Sequence, residues 1–369
     1  MVFLRHYEIL LPSLASLFPR RMSRSLHVSS TMSSRALTDF SPECRLLQVA
    51  PHLLAEIPSE RNADAVYKGP RLIKTELFAQ VLQDEWKNEC FPSGVNEDSS
   101  SIGRPHIYVD KSTSATYHGH VVYPPDFDNN ERLPAIVIFQ TGAGPHDLYF
   151  RWKADAWARG IHNGKENREH RCIVFIADLL SDNRGWGWDN DKSYYGKVRK
   201  ELLDTNNGIR ENLRQRIHLI VSTVQQLPGV DNDQLSAFCF CLSGHVMIEL
   251  ARMRLPAIKF ITVFHGVYDG IHAATLEVND GTPLHILVYQ GACDPFVTAD
   301  DIQYVKEQLS MLPNVDWKIY EFPGVIHGFT NPSHVHHPSK EVFNYSPKET
   351  KQALQEALDK FVETCFVKI

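Results

Sequence analysis

The stretch that decides the fold reads Leu235-Ser-Ala-Phe-Cys-Phe-Cys-Leu-Ser-Gly-His-Val-Met-Ile-Glu-Leu-Ala-Arg252. The apolar residues up to Phe240 predict a buried strand, and the apolar positions after Gly244 recur with the spacing of a helix. A short turn that begins at Cys241 connects the two elements. This order of strand, turn and helix is typical of a sharp turn that exposes one reactive side chain above the edge of a parallel sheet.

Cys241 is the predicted nucleophile of this turn. The turn needs small residues two positions before and after the nucleophile because the neighbouring backbone passes close, and Cys239 and Ser243 meet that need. A helix N-terminus also lowers the pKa of a thiol, since it carries a partial positive charge. Cys239 and Ser243 are the rival nucleophiles, but Cys239 lies within the strand and the bulky His245 follows Ser243. From this stretch alone, two buried and unreactive thiols remain an open alternative.

Strands and helices alternate on both sides of this stretch. Apolar runs that predict strands lie at Ile107–Val109, His120–Tyr123, Ala135–Phe139, Cys172–Ala177, Leu235–Phe240, Ile258–Phe264, His285–Tyr289 and Trp317–Phe322. Helices are predicted at Leu148–Arg159, over a long stretch within Tyr195–Leu227, and at His245–Arg252, Ala299–Leu312 and Lys348–Val367. Because the later strands are almost wholly apolar, we expect an α/β fold with a mainly parallel sheet of about eight strands and helices on both faces.

Two further candidate residues follow the late strands. Asp294 lies in a turn after the strand at 285–289, and His327 follows the strand at 317–322. Each alone would be unremarkable, because Asp-Pro commonly starts a turn and histidine is common in surface loops. Nucleophile, acid and histidine in this order, each after a successive strand, is the arrangement of the α/β-hydrolase triad. The sequence therefore predicts a catalytic triad of Cys241, Asp294 and His327.

These residues resemble the motifs of the dienelactone hydrolase family. The turn Cys239-Phe-Cys-Leu-Ser-Gly244 is similar to the family's G-x-C-x-G-G motif, and Gly291-Ala-Cys-Asp-Pro295 is similar to its acid motif. The histidine motif, H-x-F-T-N-P, is matched fully by His327-Gly-Phe-Thr-Asn-Pro332. The likeness covers about residues 115–365. It implies the α/β-hydrolase fold for residues 106–369 and a hydrolase that cleaves an ester or lactone bond of a small carbonyl substrate.

The chain departs from the family pattern at Cys239 and Ser243, which are small residues in place of two motif glycines, and at two further places. The family's His-Glu pair after the strand at 135–139 is replaced by Gln140-Thr141, and that glutamate helps to manage the proton of the resting thiol. The arginine expected four residues after the motif histidine, where it grips a substrate carboxylate, is Asn331. The resemblance therefore implies the chemistry of the family, with a different activation of Cys241, and argues against dienelactone itself as the substrate.

The expected mechanism uses the triad and two backbone amides. Cys241 attacks the carbonyl carbon to form a thioester, His327 takes the thiol proton and later activates water, and Asp294 orients the imidazole. The oxyanion is expected to accept hydrogen bonds from the backbone N–H groups of Leu242 and Gly142. Residues expected to line the substrate pocket are Thr141, Trp186 and Trp188, although core packing is an equally open interpretation of the two tryptophans. A non-catalytic binding protein of the same fold and a thiol-based acyltransferase remain alternatives.

Composition narrows the class of partner. The chain of 369 residues carries a formal net charge of −6, while residues 1–38 hold five Arg and the single acid Glu8, so the rest is more acidic than the whole. An acidic body makes nucleic acid and anionic membranes poor partners. No apolar run approaches the ~18 residues of a membrane-spanning helix. No metal or cofactor is expected, because Cys239, Cys241 and His245 occupy strand and helix positions that do not point at one ion.

The N-terminal part differs from the rest of the chain. Residues 1–38 are rich in Arg and Ser and predict a mitochondrial or plastid transit peptide, with a secretory signal or a cytoplasmic location as alternatives. Residues 39–105 are expected to form a helical extension and linker, with an amphipathic helix over Arg71–Glu89. The seven Cys show no framework spacing, which indicates reduced thiols in a reducing compartment. The sequence makes no prediction of the oligomeric state.

Overall fold

The computed structural model describes residues 102–366, apart from residues 126, 143, 146–147, 163–168, 181–191, 207, 272–281, 333 and 335–338. The predicted targeting segment and the amphipathic helix at Arg71–Glu89 lie outside the described residues. In chain order the elements are β1 (Ile102–Val109), β2 (Thr116–Tyr123), β3 (Leu133–Phe139), α1 (Leu148–Arg159), β4 (Ile161–His162), β5 (Glu169–His170), β6 (Ile173–Ala177), α2 (Lys192–Leu203), α3 (Glu211–Gln225), β7 (Val230–Phe240), α4 (Gly244–Met253), β8 (Ile258–Phe264), β9 (Leu284–Gly291), α5 (Ala299–Ser310), β10 (Val315–Phe322) and α6 (Pro347–Cys365).

Eight of these strands form one sheet. Their order across it is β1-β2-β6-β3-β7-β8-β9-β10. β2 is antiparallel to both of its neighbours, and the six strands from β6 to β10 in that order are parallel. The predicted sheet of about eight mainly parallel strands is therefore confirmed. The pair β4 and β5 forms a separate two-stranded sheet, which the sequence did not predict because each strand is only two residues long.

The helices of the described part cover both faces of the sheet. Buried residues of α2, α3, α4 and α5 pack into one core, and buried residues of α1 and α6 pack into the other. The sequence of β3 is apolar without alternation because both of its faces are buried. Ile136 and Ile138 belong to the core under α1 and α6, while Val137 and Phe139 belong to the opposite core. Successive side chains of a strand point to opposite faces, so a strand covered on both faces needs apolar residues throughout.

The prediction of one long helix within Tyr195–Leu227 is wrong, because the structure has two helices there, α2 and α3. Asn206 and Ile209 pair with each other through backbone hydrogen bonds of 2.9 and 3.0 Å, which closes a turn between the helices. Gly208 within that turn has a φ of 79°, a left-handed conformation that favours glycine. The apolar spacing continues across the turn, which is why periodicity alone did not reveal the break.

No helix of the described residues is both long and apolar enough to cross a membrane. The parallel strands instead bring their carboxyl ends to one edge of the sheet, where β3, β7, β8, β9 and β10 all end beside one another. In open sheets of this kind the loops at that edge carry the functional residues.

Candidate active site

Cys241, Asp294 and His327 come together at the carboxyl ends of β7, β9 and β10. The Nε2 atom of His327 lies 3.1 Å from the Sγ atom of Cys241, and its Nδ1 atom lies 2.7 Å from Oδ2 of Asp294. The histidine and the aspartate are buried, and the cysteine is half-buried. The three residues, predicted from three separate strand ends, thus form one continuous line of contacts.

The turn that carries Cys241 has a constrained backbone. Cys241 has a φ of 52°, an uncommon conformation for a residue with a side chain, and it begins a single 3-10 turn between β7 and α4. Its carbonyl oxygen accepts a hydrogen bond of 2.9 Å from the backbone N–H of Val267. A Cβ atom at Gly244 would lie only 2.6 Å from the Val267 carbonyl oxygen, so only a glycine allows α4 to begin this close to Val267. These contacts confirm the predicted strand, turn and helix.

The surroundings of Cys241 favour its thiolate. Burial raises the pKa of Cys241, but the charge and hydrogen bond of His327 and the backbone N–H groups of Gly142 and Leu242 outweigh it, and the pKa lies below its ordinary value. For His327, burial lowers the pKa, but Cys241 and the hydrogen bond to Asp294 act more strongly and raise it well above the ordinary value. Both shifts favour an ion pair of thiolate and imidazolium in the resting site.

The loop after β3 is joined to the nucleophile turn. The hydroxyl of Ser243 donates a hydrogen bond of 2.6 Å to the backbone carbonyl of Gln140, and both residues are fully buried. Two residues further on, Gly142 directs its N–H at the sulfur of Cys241, as Leu242 does from within the turn. The structure therefore brings both predicted oxyanion donors to one side of the thiol.

The predicted pocket residues divide into described and undescribed ones. Thr141 is half-buried and lies directly before Gly142, at the edge of the site. Trp186 and Trp188 lie outside the described residues. Among the residues that are described, no three His, Cys, Asp or Glu side chains form a group that could hold a metal ion. Of the three side chains weighed as ligands, Cys239 is in the core and His245 lies 3.3 Å from the carboxylate of Asp269.

Asp294 has two contacts that the sequence did not reveal. The side-chain amide of Gln290 donates a hydrogen bond of 2.8 Å to Oδ2 of Asp294, the same oxygen that faces His327. The backbone N–H of Phe296 donates to the other oxygen, Oδ1, at 2.9 Å. Gln290 is almost fully buried at the end of β9, and an amide in that position of an apolar strand was the available signal.

Other side chains pack around the triad. The ring of His265 lies 5.0 Å from that of His327, edge to face, and its Nε2 lies 3.0 Å from the Thr330 hydroxyl. Burial lowers the pKa of His265 well below its ordinary value, and the nearby His327 lowers it further, so His265 stays neutral beside the imidazolium. Tyr195 comes from α2 and lies beside Gly142, and burial together with Cys241 raises the pKa of its hydroxyl. No local motif marked Tyr195, because it reaches the site from an element distant in the chain.

The rings of Phe296 and Phe343 also pack on His327. Their centroids lie 4.8 and 5.5 Å from the imidazole centroid, with interplanar angles of 80° and 75°. The two phenylalanine rings lie 5.7 Å from each other. Phe296 is 39% exposed although it touches a buried histidine, so it forms part of the accessible wall of the site. The sequence did not point to either ring.

Comparisons with known proteins agree with this architecture. A sequence model of the dienelactone hydrolase family matches residues 121–365. The protein K02A2.1 of Caenorhabditis elegans is 28% identical over 120 residues, which cover 32% of this chain and 74% of that protein. Two solved structures share the fold: a dienelactone hydrolase-like promiscuous phosphotriesterase, P91, from metagenomic libraries (20% identity, TM-score 0.56, 72% of this chain and 98% of that chain) and m3DLH (22% identity, TM-score 0.58, 72% and 99%).

Proposed function

The chain belongs to the dienelactone hydrolase family, and from this premise we propose that it hydrolyses an ester or lactone of a small carbonyl substrate through Cys241, His327 and Asp294. The observation that carries the proposal is the distance of 3.1 Å between Nε2 of His327 and Sγ of Cys241. A thiol in hydrogen-bond reach of an imidazole, which is itself oriented by a carboxylate, is the arrangement of an activated nucleophile.

Acylation begins from the ion pair of thiolate and imidazolium. The sulfur attacks the carbonyl carbon, and the negative charge that develops on the carbonyl oxygen is stabilised by the N–H groups of Gly142 and Leu242. The bond between the carbonyl carbon and the alcohol oxygen then breaks. The electron pair of that bond leaves with the oxygen, which takes the proton from His327, and a thioester remains on Cys241. In a lactone the released alcohol stays attached to the acyl group.

Deacylation uses the same histidine as a base. Once His327 has lost its proton, it accepts one from a water molecule that attacks the thioester carbonyl. The carbon–sulfur bond breaks, the carboxylic acid is released and the thiolate is restored. Asp294 stabilises the imidazolium in both steps, and its hydrogen bonds from Gln290 and Phe296 hold the carboxylate in place.

The ion pair also explains how Cys241 is activated without the glutamate of the family pattern. In this chain Thr141 stands at that position, and the pKa of Cys241 is held low by His327 and two amides instead. The lowered pKa therefore favours the thiolate before any substrate arrives. Asn331, at the position of the family arginine, carries no charge with which to bind a carboxylate, which supports an uncharged ester or lactone as the substrate.

The test is hydrolysis of a small activated ester, with intact-mass measurement of the acylated chain. We expect turnover of 4-nitrophenyl acetate, an acetyl group on the peptide that carries Cys241, and a loss of roughly 10⁴-fold or more in rate for Cys241→Ala. Cys239→Ala is the matched control, because it removes the thiol that lies two residues before Cys241 in the same stretch. We expect this variant to keep the activity. Full activity in Cys241→Ala would contradict the proposal. Saturable binding of esters without turnover would instead support a non-catalytic binding protein.

A further inference from the structure

We propose that Phe296 and Phe343 form a subsite for the alcohol part of the substrate, and that this subsite makes the enzyme prefer esters of aromatic alcohols. The inference rests on the proposed ester hydrolysis and goes beyond it by naming the class of leaving group. We refer to the two rings as the aromatic subsite.

Phe296 is unusual among the apolar side chains of the described residues. Three large apolar side chains there are exposed, namely Val109, Phe296 and Met311. Val109 ends an edge strand and Met311 follows α5 just before β10 begins, whereas Phe296 packs on a triad residue. An aromatic ring left in solvent beside a catalytic histidine keeps apolar area available for a ligand.

The mechanism decides which part of the substrate meets these rings. The carbonyl oxygen must lie against the N–H groups of Gly142 and Leu242, and the leaving oxygen must lie near Nε2 of His327, from which it takes its proton. The groups attached to the leaving oxygen therefore extend along the wall that packs on His327. In the described residues the accessible part of that wall is the aromatic subsite, because the third ring against the imidazole, His265, is only 3% exposed.

The geometry of the subsite favours an aromatic guest. The rings of Phe296 and Phe343 are tilted by 49° to each other, so a third ring can pack against the face of one and the edge of the other. The subsite is also built before substrate binds. The backbone N–H of Phe296 donates to Asp294, and the backbone N–H of Asn344, directly after Phe343, donates to the carbonyl of His327. The main chain that carries each ring is therefore held by the triad loops.

Because those contacts are made by the backbone, a side-chain substitution can test the subsite without removing them. The probes are two isomeric esters, benzyl acetate and methyl phenylacetate, which carry the same phenyl ring on the alcohol side and on the acyl side. The value of kcat/KM reports the acylation step, in which the alcohol is still attached. We expect the unsubstituted chain to prefer benzyl acetate over cyclohexylmethyl acetate, which has a leaving group of similar size without an aromatic ring.

The decisive comparison is Phe296→Ala against Met311→Ala. An aromatic contact of this kind contributes roughly 3- to 10-fold in rate, so Phe296→Ala should lower the ratio of kcat/KM for benzyl acetate to kcat/KM for methyl phenylacetate by that factor. Phe296→Leu, which keeps apolar area without the ring, should lie between. Met311→Ala removes another exposed apolar side chain and should change neither ester.

Three outcomes would overturn the inference. Equal losses for both isomers in Phe296→Ala would show that the ring only shields His327. Unchanged rates for both would show that the ring does not meet the substrate. Hydrolysis of neither ester, nor of 4-nitrophenyl acetate, by the unsubstituted chain would overturn the proposed function itself and this inference with it.

Discussion

Cys239 and Cys241 are two thiols at the end of the same strand, and their surroundings are opposite. Cys239 is fully buried in the core on the α2–α5 face, and burial raises its pKa well above the ordinary value. Cys241 leaves the sheet at a φ of 52° and faces an imidazole and two amides, and its pKa is lowered. Burial opposes the thiolate at both positions, so the difference comes from the groups that each sulfur meets.

The comparison extends to the other buried thiols. Cys365 lies 3.3 Å from the Ser236 hydroxyl, yet burial raises its pKa to about 11. A neutral hydroxyl therefore does not offset burial, whereas the cationic imidazole of His327 together with the amides of Gly142 and Leu242 does. The backbone turn matters because it carries the sulfur to those groups.

The difference between the two thiols depends most on the imidazole beside Cys241. Gln290→Leu tests this dependence. This substitution removes the hydrogen bond that Gln290 donates to Asp294 but leaves the apolar volume of the side chain. We expect kcat to fall about 10-fold with little change in KM, because the carboxylate no longer holds the imidazole in one orientation. Steady-state kinetics with one ester measure both constants.

Gln308→Leu is the matched control for that experiment. Gln308 is also a buried amide, but its oxygen accepts from Arg252 between α4 and α5, away from the triad. We expect this variant to lose stability and to keep kcat. If Gln290→Leu lowered only the melting temperature, as Gln308→Leu should, the amide would have a structural role and no influence on the triad.

Much of this site was predictable because its chemistry follows strand ends. Cys241, Asp294 and His327 each lie within five residues of the carboxyl end of a strand, and parallel strands place such positions at one edge. Phe296 was not predicted, since it meets His327 only through the packing of two loops that are far apart in the chain. Gln290 was not predicted either, although its contact with Asp294 spans only four residues. The break between α2 and α3 was missed because helical spacing resumes in the same phase of apolar residues after Gly208.

Ser243 has a role in the structure that its place in the sequence motif did not indicate. Sequence comparison marked it only as a small residue in place of a family glycine, whereas the structure places its hydroxyl on the carbonyl of Gln140. A substitution of this kind is tolerated by the turn because Ser243 is helical in φ, at −76°, and needs no left-handed conformation.

The backbone amides beside Cys241 are tested by Ser243→Gly, which restores the family residue. The expected effect is smaller than that of Gln290→Leu. Without the Ser243 hydroxyl, the loop that carries Gly142 loses the hydrogen bond between Gln140 and the nucleophile turn. A neutral hydrogen bond contributes about 1 kcal/mol, so kcat should fall about 5-fold as the oxyanion donor becomes less well placed. Ser243→Ala should behave alike in stopped-flow acylation; unchanged acylation in both variants would show that this bond does not position the loop.

The pH dependence follows from the sign of the two shifts. A lowered pKa of Cys241 means that its thiolate forms below the ordinary value of about 8.5, and a raised pKa of His327 means that the imidazolium persists above about 6.5. The pH range in which the thiolate and the imidazolium coexist therefore extends below the ordinary pKa of a thiol and above the ordinary pKa of an imidazole.

Alkylation by iodoacetamide as a function of pH, read for each thiol by peptide mass spectrometry, tests this account most directly. The reagent needs only the thiolate, so its rate reports ionisation without any assumption about the substrate. We predict that Cys241 is labelled first, that its rate reaches a plateau below the ordinary thiol pKa of about 8.5, and that Cys239 stays unlabelled in the folded chain. Labelling of Cys239 before Cys241, or a Cys241 rate that still rises tenfold per pH unit through about 8.5, would show that the imidazole and the two amides do not stabilise the thiolate.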